Sequence, residues 1–201
     1  KKGFWKNSFI VTPDVLVPRP ETETLVDAIL NENLQGKTLL ELGTGSGAIS
    51  ISIAQENKDC FIFATDISIK SILVAKQNAA KFYCENIIFL NHDWNNEWLF
   101  PQVDYLISNP PYVDKEATSG KEEGIWHEPE IALFSKDKGL SDLKLILSKG
   151  KKFLNESGKV YLEHAPDQYE ELNKFAMENG YLNFSNLNDL NGDKRVSIYQ
   201  C

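Results

Sequence analysis

The chain has 201 residues, of which 21 are basic and 29 acidic, so its formal net charge at pH 7 is −8. This length favours a single domain, and a content of 42% apolar and 25% charged residues excludes a disordered, collagenous or disulfide-scaffold protein. No apolar run reaches the roughly 18 residues of a membrane helix, and the negative charge disfavours a protein that binds nucleic acid mainly through phosphates.

Short apolar runs separated by longer mixed segments predict an α/β fold built on a mostly parallel sheet. The runs expected to form strands are Thr38–Leu42, Phe61–Thr65, Ile87–Leu90, Tyr105–Ser108 and Val160–Leu162. Two further runs, near Tyr181–Phe184 and Val196–Tyr199, follow each other without a helix-length spacer. They predict an antiparallel hairpin that ends the sheet.

Helices are predicted between these strands from their start signals and apolar faces. Pro20 precedes a stretch in which Leu25, Val26, Ile29 and Leu30 share one face. In the same way, Ser68 is expected to cap a helix through Ala80, and Pro166 to open one through Ala176.

One segment has a pattern that conflicts with its position in the chain. Residues Ala48–Ala54 alternate with period two, which by periodicity alone favours a strand. We predict a helix instead, because the glycines that precede the segment require a helix N-terminus behind them.

A glycine-rich loop follows the first predicted strand of the sheet. It comprises Gly43, Thr44, Gly45, Ser46 and Gly47. No Lys-Ser/Thr pair follows as in a P-loop, and Ala48 stands where a dinucleotide fingerprint usually has its third glycine. Glycines at every second position allow a ligand to approach the backbone closely.

An acidic residue, Asp66, follows the second predicted strand of the sheet. A carboxylate at this place accepts hydrogen bonds from both hydroxyls of a ribose. Together with the glycine loop it predicts a nucleoside site without a phosphate cradle, as S-adenosylmethionine requires. A tight turn with an ordinary helix-start acid, or a dehydrogenase, remain the alternatives.

The tetrapeptide Asn109-Pro110-Pro111-Tyr112 follows the strand that ends at Ser108, where open α/β sheets bind ligands. An amide or aryl amine nitrogen is a poor nucleophile, and two acceptors on its N–H bonds orient it for methylation. The Asn109 side-chain oxygen and the Pro110 carbonyl are the predicted acceptors, and the prolines remove competing donors. Tyr112 is expected to wall the pocket. An ordinary Pro-Pro turn is the alternative.

Several segments spread over nearly the whole chain together resemble one known family. They are Phe4-Trp5, Phe9, Val17–Glu23, Glu41–Gly47, Asp66, Asp93-Trp94, Asn109–Tyr112, Glu128–Leu133, Asp137–Leu140, Asp189 and Asp193–Val196. The glycine loop marks any class I methyltransferase, and the tetrapeptide is shared with adenine-N6 enzymes. The P-R-P-E-T-E segment combined with E-P-x-x-A-L is more specific, and the chain thereby resembles the release-factor glutamine methyltransferases of the HemK/PrmC type.

The resemblance implies a class I fold with a seven-stranded, mostly parallel, doubly wound sheet and an antiparallel C-terminal hairpin. It implies methyl transfer from S-adenosyl-L-methionine to N5 of the glutamine in the Gly-Gly-Gln motif of a peptide-chain release factor, with S-adenosyl-L-homocysteine as product. The implied cofactor-binding residues are Gly43, Thr44, Gly45, Ser46, Gly47, Asp66, Asp93, Trp94 and Asn109. Trp94 is implied to line the adenine.

In the resemblance, Asn109, Pro110 and Tyr112 are the catalytic residues, and Asn109–Tyr112 form the glutamine pocket. Arg19 and Glu21 are expected to pair and to brace the floor of the site without a catalytic role. Residues 1–35 are expected to lead, as a linker, hairpin and first helix, into a methyltransferase domain at 36–201. The family's N-terminal helical domain is expected to be absent, and Ala165 replaces a common glycine.

The same residues leave two alternative functions and predict several absences. An adenine-N6 DNA or RNA methyltransferase is the competing enzyme, but the segment 114–130 carries six acids against two lysines, which disfavours stable binding of nucleic acid. A cofactor-free binding module is the non-enzymatic alternative. The scattered histidines and the distant Cys60, Cys84 and Cys201 predict no metal site and reduced thiols. We expect a cytoplasmic monomer that does not bind membranes.

Overall fold

The computed structural model describes residues 1–116 and 128–200 of the chain. Lys121, Glu122 and Glu123 of the acidic segment, together with Cys201, lie outside the described residues.

The described chain alternates strands and helices. The strands are β1 (Lys2–Phe4), β2 (Asn7–Phe9), β3 (Thr38–Leu42), β4 (Phe61–Asp66), β5 (Ile87–Asn91), β6 (Val103–Ser108), β7 (Leu154–Glu163), β8 (Asn183–Asn188) and β9 (Lys194–Gln200). The helices are α1 (Glu23–Leu30), α2 (Ala48–Glu56), α3 (Ile69–Lys81), α4 (Ser141–Gly150) and α5 (Tyr169–Glu178). Single 3-10 turns cover Pro20–Thr22, Glu130–Ala132 and Lys151–Phe153.

Seven strands form one sheet in the order β5-β4-β3-β6-β7-β9-β8. Strands β3 to β7 pair in parallel, whereas β9 runs antiparallel to both β7 and β8. The predicted mostly parallel sheet with an antiparallel C-terminal hairpin is therefore confirmed. Strands β1 and β2 form a separate hairpin.

Helices cover both faces of the sheet and bury two apolar cores. Successive strand residues point to opposite faces, so that Leu39 packs with α1, α2 and α3 while Leu40 packs with α4 and α5. Phe4 and Phe9 of the N-terminal hairpin join the first core. Both faces of the sheet are thus covered, and a ligand site can form only at the ends of its strands.

Helix α2 shows why the alternating pattern of residues 48–54 does not predict their secondary structure. Every residue from Ala48 to Ala54 is buried, because the helix is enclosed by β4, α1 and α3. A helix buried on all sides needs no amphipathic period. The predicted helix is confirmed. The apparent period of two arises because Ser50 and Ser52 stand between apolar residues in the sequence.

The structure differs from the predicted elements near the C-terminus. Helix α5 begins at Tyr169 rather than at Pro166, because residues 165–168 form a turn in which the Gln168 side-chain oxygen accepts a hydrogen bond from the Ala165 amide. Strand β8 begins at Asn183, because the Tyr181 amide donates its hydrogen bond to the Ala176 carbonyl at the end of α5 and not to a neighbouring strand. Helix α4 is an additional element that the apolar runs do not predict.

Within the described residues, no helix is long and apolar enough to span a membrane. The same part of the chain contains no group of His, Cys, Asp and Glu side chains arranged to hold a metal ion. Cys60 and Cys84 are free thiols.

Candidate active site

The site lies where the strand order of the sheet reverses, between β3 and β6. Leu42 at the end of β3 pairs with Ser108 on one side and with Thr65 on the other. The residues that follow these strand ends are therefore neighbours in space. Gly43, Asp66 and Asn109 meet at one edge of the sheet, at the switch point where doubly wound folds bind ligands.

The glycine loop folds tightly between β3 and α2. Gly47 has a φ of +80° immediately before α2, and a Cβ there would lie 2.8 Å from Ile51 Cδ1. Gly43 has a φ of +75°, and its Cβ would lie 3.2 Å from the Trp94 ring. Both positions therefore require glycine for conformation and for close approach. A Cβ on Gly45 would meet no atom within 4 Å, because this residue borders open space.

Asp66 joins the loop to the end of β4. Its Oδ2 accepts a hydrogen bond of 2.9 Å from the Gly45 amide, and its Oδ1 accepts one of 2.9 Å from the Ser68 amide. Burial raises the pKa of this carboxyl, and the two amides partly offset the rise. Each oxygen keeps a second lone pair for a ligand.

These elements enclose a cavity of about 190 Å³. Its lining residues include four carboxylates, which are Asp14, Asp66, Asp93 and Asp142. Among the described residues that line it there is no Lys or Arg. The cavity therefore favours a cationic or neutral ligand over a phosphate.

The structure places the sequence-predicted residues at three kinds of position. The main cavity is lined by Gly43, Gly45, Asp66, Asp93, Trp94, Asn109 and Pro111. A smaller adjoining cavity of about 50 Å³ is lined in part by Thr44 and Ser46 and shares Gly43, Gly45 and Asn109 with the first. Gly47, Pro110 and Tyr112 are not among the residues that line these two cavities.

Asn109 has a defined orientation in the site. Its Nδ2 donates a hydrogen bond of 3.1 Å to the Thr22 hydroxyl. This leaves its Oδ1 as an acceptor, and no described residue donates a hydrogen bond to that oxygen. The amide oxygen is thus available to a ligand.

Tyr112, which is expected to wall the pocket, is held through its hydroxyl by a residue outside the tetrapeptide. Its hydroxyl donates a hydrogen bond of 3.0 Å to Oε1 of Glu163, at the end of β7. Burial and the charge of Glu163 raise the pKa of the Tyr112 hydroxyl, which therefore stays protonated. The partly buried ring packs against the second apolar core, which includes Leu40.

The expected pair of Arg19 and Glu21 is wrong. Within the described residues, Arg19 instead forms an ion pair of 2.6 Å with Oε1 of Glu128, whose side chain is only 9% exposed. The second oxygen of Glu128 accepts a hydrogen bond from the Val17 amide. Glu128 thus ties the P-R-P-E-T-E segment to the segment that precedes the 3-10 turn Glu130–Ala132.

Two aspartates that the sequence analysis does not single out, Asp142 and Asp14, also line the main cavity. Asp142, at the start of α4, accepts a hydrogen bond of 3.1 Å from Trp94 Nε1 and another from the Ser135 hydroxyl. Asp14 lies beside α3, where its carbonyl accepts from Ser71. Asp142 sits in the first turn of an amphipathic helix, which is the one sequence signal that points to it.

Glu41, the last charged residue of β3, lies beneath the glycine loop. It is 1% exposed, and its Oε2 accepts hydrogen bonds from Thr44 and Ser50 while its Oε1 has no partner among the described residues. Burial, with a smaller contribution from the charge of Asp66, raises the pKa of Glu41 from 4.5 to about 7.

This raised pKa predicts a pH-dependent effect of Glu41→Gln. The proton that folded Glu41 retains stabilises the protein below pH 4.5, and this stabilisation is lost as the pH rises through about 7. At about 1.4 kcal/mol for each pKa unit, the variant should gain about 3 kcal/mol of unfolding free energy relative to the parent over that range. Denaturant titrations of both proteins at several pH values measure the gain. A difference that does not change with pH would contradict it.

The sequence profile of the methyltransferase small domain family matches residues 20–128. A release factor glutamine methyltransferase from Aliivibrio fischeri is 34% identical over 201 residues, covering 99% of this chain and 71% of that protein. One from Coxiella burnetii is 37% identical over 203 residues, with coverage of 98% and 72%.

Solved structures agree on the fold. A methyltransferase from Pyrococcus furiosus superimposes with a TM-score of 0.70 at 20% identity, covering 96% of this chain and 87% of that one. The magnesium protoporphyrin IX methyltransferase of Synechocystis, solved with bound SAM, gives a TM-score of 0.61 at 17% identity, with coverage of 90% and 79%. From the sequence relationships and the shared fold, the chain belongs to the release factor glutamine methyltransferase family.

Proposed function

We propose that this chain binds S-adenosylmethionine in the main cavity and transfers its methyl group to N5 of the glutamine side chain in the Gly-Gly-Gln motif of a peptide-chain release factor. Membership of the family supports the reaction and the substrate class. The observation that carries the proposal is the free Asn109 oxygen beside the glycine loop.

The lining of the cavity fits this cofactor. Its sulfonium is a cation, and the lining aspartates offer a favourable field, although Asp14 is already paired with Lys70 at 3.0 Å. The spare lone pairs of Asp66 suit the two ribose hydroxyls, and Trp94 offers an aromatic ring for adenine. When bound, S-adenosylmethionine supplies an activated methyl group.

The chain's own contribution to the chemistry is to orient the acceptor amide. Asn109 Oδ1 and the Pro110 carbonyl each accept one N–H of the glutamine side chain, and no described residue donates to either oxygen. Holding both N–H bonds turns the nitrogen lone pair toward the methyl carbon. The transfer would replace one N–H of the glutamine amide by N–CH3, with S-adenosyl-L-homocysteine and a proton as the other products. Positioning supplies most of the acceleration.

An adenine amine presents the same two N–H bonds, but the surroundings favour a protein substrate. The chain carries a net charge of −8, to which the described ends of the acidic segment contribute Asp114, Glu116, Glu128 and Glu130, with Arg19 paired to Glu128 and Lys115 to Glu130. A nucleic acid would have to place phosphates among these carboxylates.

Replacing Asp66 tests the cofactor part of the proposal. Asp66→Ala removes the acceptors proposed for the ribose and also frees the Gly45 amide. A hydrogen bond to a charged group contributes roughly 1.5–3 kcal/mol, so affinity for S-adenosylmethionine should fall about tenfold or more. Isothermal titration measures the change.

Asp59→Ala is the matched control for this titration. Asp59 is exposed and precedes the opposite end of β4, so its removal should leave cofactor affinity within about twofold of the parent. Equal affinities of the parent and a folded Asp66→Ala protein would remove Asp66 from the cofactor site.

The substrate part is tested with radiolabelled S-adenosylmethionine and two release factors. One has its natural Gly-Gly-Gln loop, and the other has alanine in place of that glutamine. We expect label in the first protein alone. Equal labelling of both would contradict the proposed acceptor.

A further inference from the structure

A buried polar group, Thr22, lies beside Asn109 and lines the smaller adjoining cavity but not the main one. Thr22, the last residue of the 3-10 turn Pro20–Thr22, is 3% exposed and accepts the hydrogen bond of 3.1 Å from Asn109 Nδ2. A hydroxyl that accepts one hydrogen bond still has a proton to place. Where that proton points decides what the hydroxyl offers to Asn109.

Glu163 provides the acceptor for that proton. It is fully buried at the end of β7, and its Oε1 is used by the Tyr112 hydroxyl. Its Oε2 has no hydrogen-bond partner among the described residues. Burial raises the pKa of the Glu163 carboxyl to about 7. The Thr22 hydroxyl lies close enough to act in the opposite direction and lower this pKa. While Glu163 is charged, its carboxylate is an acceptor for the Thr22 proton, and the Thr22 oxygen then accepts from Asn109 Nδ2, as in the observed contact of 3.1 Å.

An asparagine amide can sit in two orientations that differ by exchange of its oxygen and nitrogen. If the Thr22 proton points to Glu163, the hydroxyl presents only lone pairs to Asn109. Those lone pairs bind the Nδ2 end and repel the Oδ1 end. The orientation with Oδ1 toward the cavity is therefore selected.

We propose that Thr22 is a positioning residue that holds the Asn109 amide with its oxygen toward the substrate nitrogen. The inference rests on the proposed function for the identity of that substrate. In the reverse orientation, the NH2 group of Asn109 would face the NH2 group of the glutamine, so that two hydrogen-bond donors would oppose each other. Thr22 thus acts on the reaction through its hydrogen bond with Asn109.

Thr22→Val and Thr22→Ser form the matched pair that tests this role. Valine keeps the volume and removes the hydroxyl, whereas serine keeps the hydroxyl and removes a methyl group. Loss of one oriented hydrogen bond should lower kcat of Thr22→Val about tenfold, and cofactor affinity should stay within about twofold. Thr22→Ser should retain kcat within about threefold of the parent. Equal kcat values for the two variants would overturn the proposal.

The side-chain amide signals of Asn109 in a ¹⁵N-labelled protein give a readout that needs no substrate. They are assigned by their loss in Asn109→Ala. We expect both proton shifts to move in Thr22→Val and to stay near the parent values in Thr22→Ser. Unchanged shifts in Thr22→Val would overturn the proposed contact. A parent protein without methyl transfer to glutamine, but with these shifts, would instead count against the proposed function alone.

Discussion

Replacement of Asn109 by alanine is expected to slow methyl transfer by about a hundredfold or more, with little change in affinity for S-adenosylmethionine. The substitution removes one of two acceptors that hold the glutamine nitrogen, and positioning of this kind supplies several kcal/mol of a barrier. The cofactor keeps the glycine loop and Asp66, which lie on other strand ends. Single-turnover rates and cofactor titrations on the same protein samples separate the two effects.

Asn109→Asp serves as the second variant in this experiment. It retains the acceptor and the volume but cannot donate to Thr22, and it adds a charge to a cavity that already has four carboxylates. We expect its transfer rate to lie between those of the parent and Asn109→Ala. If cofactor affinity falls as steeply as the transfer rate in Asn109→Ala, the main role of Asn109 is to bind the cofactor.

Gly139→Ala is expected to cause the largest loss of stability. Gly139 has a φ of +85°, and a Cβ there would lie 2.0 Å from the Tyr112 carbonyl oxygen and 2.6 Å from Gln168 Nε2. The first of these atoms belongs to the backbone, so no rotamer change relieves the overlap. We expect a loss of about 4 kcal/mol or more in unfolding free energy, because the tetrapeptide must move away from the turn that precedes α4.

Gly192→Ala is the control for backbone strain. Its φ of +90° is close to that of Gly139, but its Cβ would meet no atom within 4 Å. A residue other than glycine in this conformation costs about 1–2 kcal/mol. Denaturant unfolding of both variants therefore isolates the steric part, and equal losses would contradict the proposed contact with Tyr112.

The sheet and the approximate position of the site are predictable from sequence because they depend on local patterns. Strand β3 is a short apolar run directly followed by glycines, and β4 ends in an acid. Parallel strands bring their carboxyl ends to one edge, so Gly43, Asp66 and Asn109 become neighbours without knowledge of any side-chain contact.

The supporting contacts are not predictable in this way because their partners are far apart in sequence. Arg19 is two residues from Glu21, yet it pairs with Glu128, 109 residues away. Thr22 meets Asn109 across 87 residues. Such contacts depend on how a loop crosses the sheet, and a single sequence carries no periodic signal for it.

Tyr112 shows the limit of interpreting a motif by its residue types alone. Its hydroxyl is held by Glu163 at the end of the neighbouring strand β7, a contact that the residue types of the motif do not predict. The proximity of these two residues arises from the pairing of β6 with β7. A prediction of strand order would have been needed to find it.

The most direct test of the central claim is a mass-spectrometric peptide map of a release factor after incubation with this chain and S-adenosylmethionine, beside the same reaction on adenine-rich duplex DNA. We expect one methyl group on the glutamine of the Gly-Gly-Gln motif and none on adenine. Methyl on adenine, with an unmodified glutamine, would contradict the account.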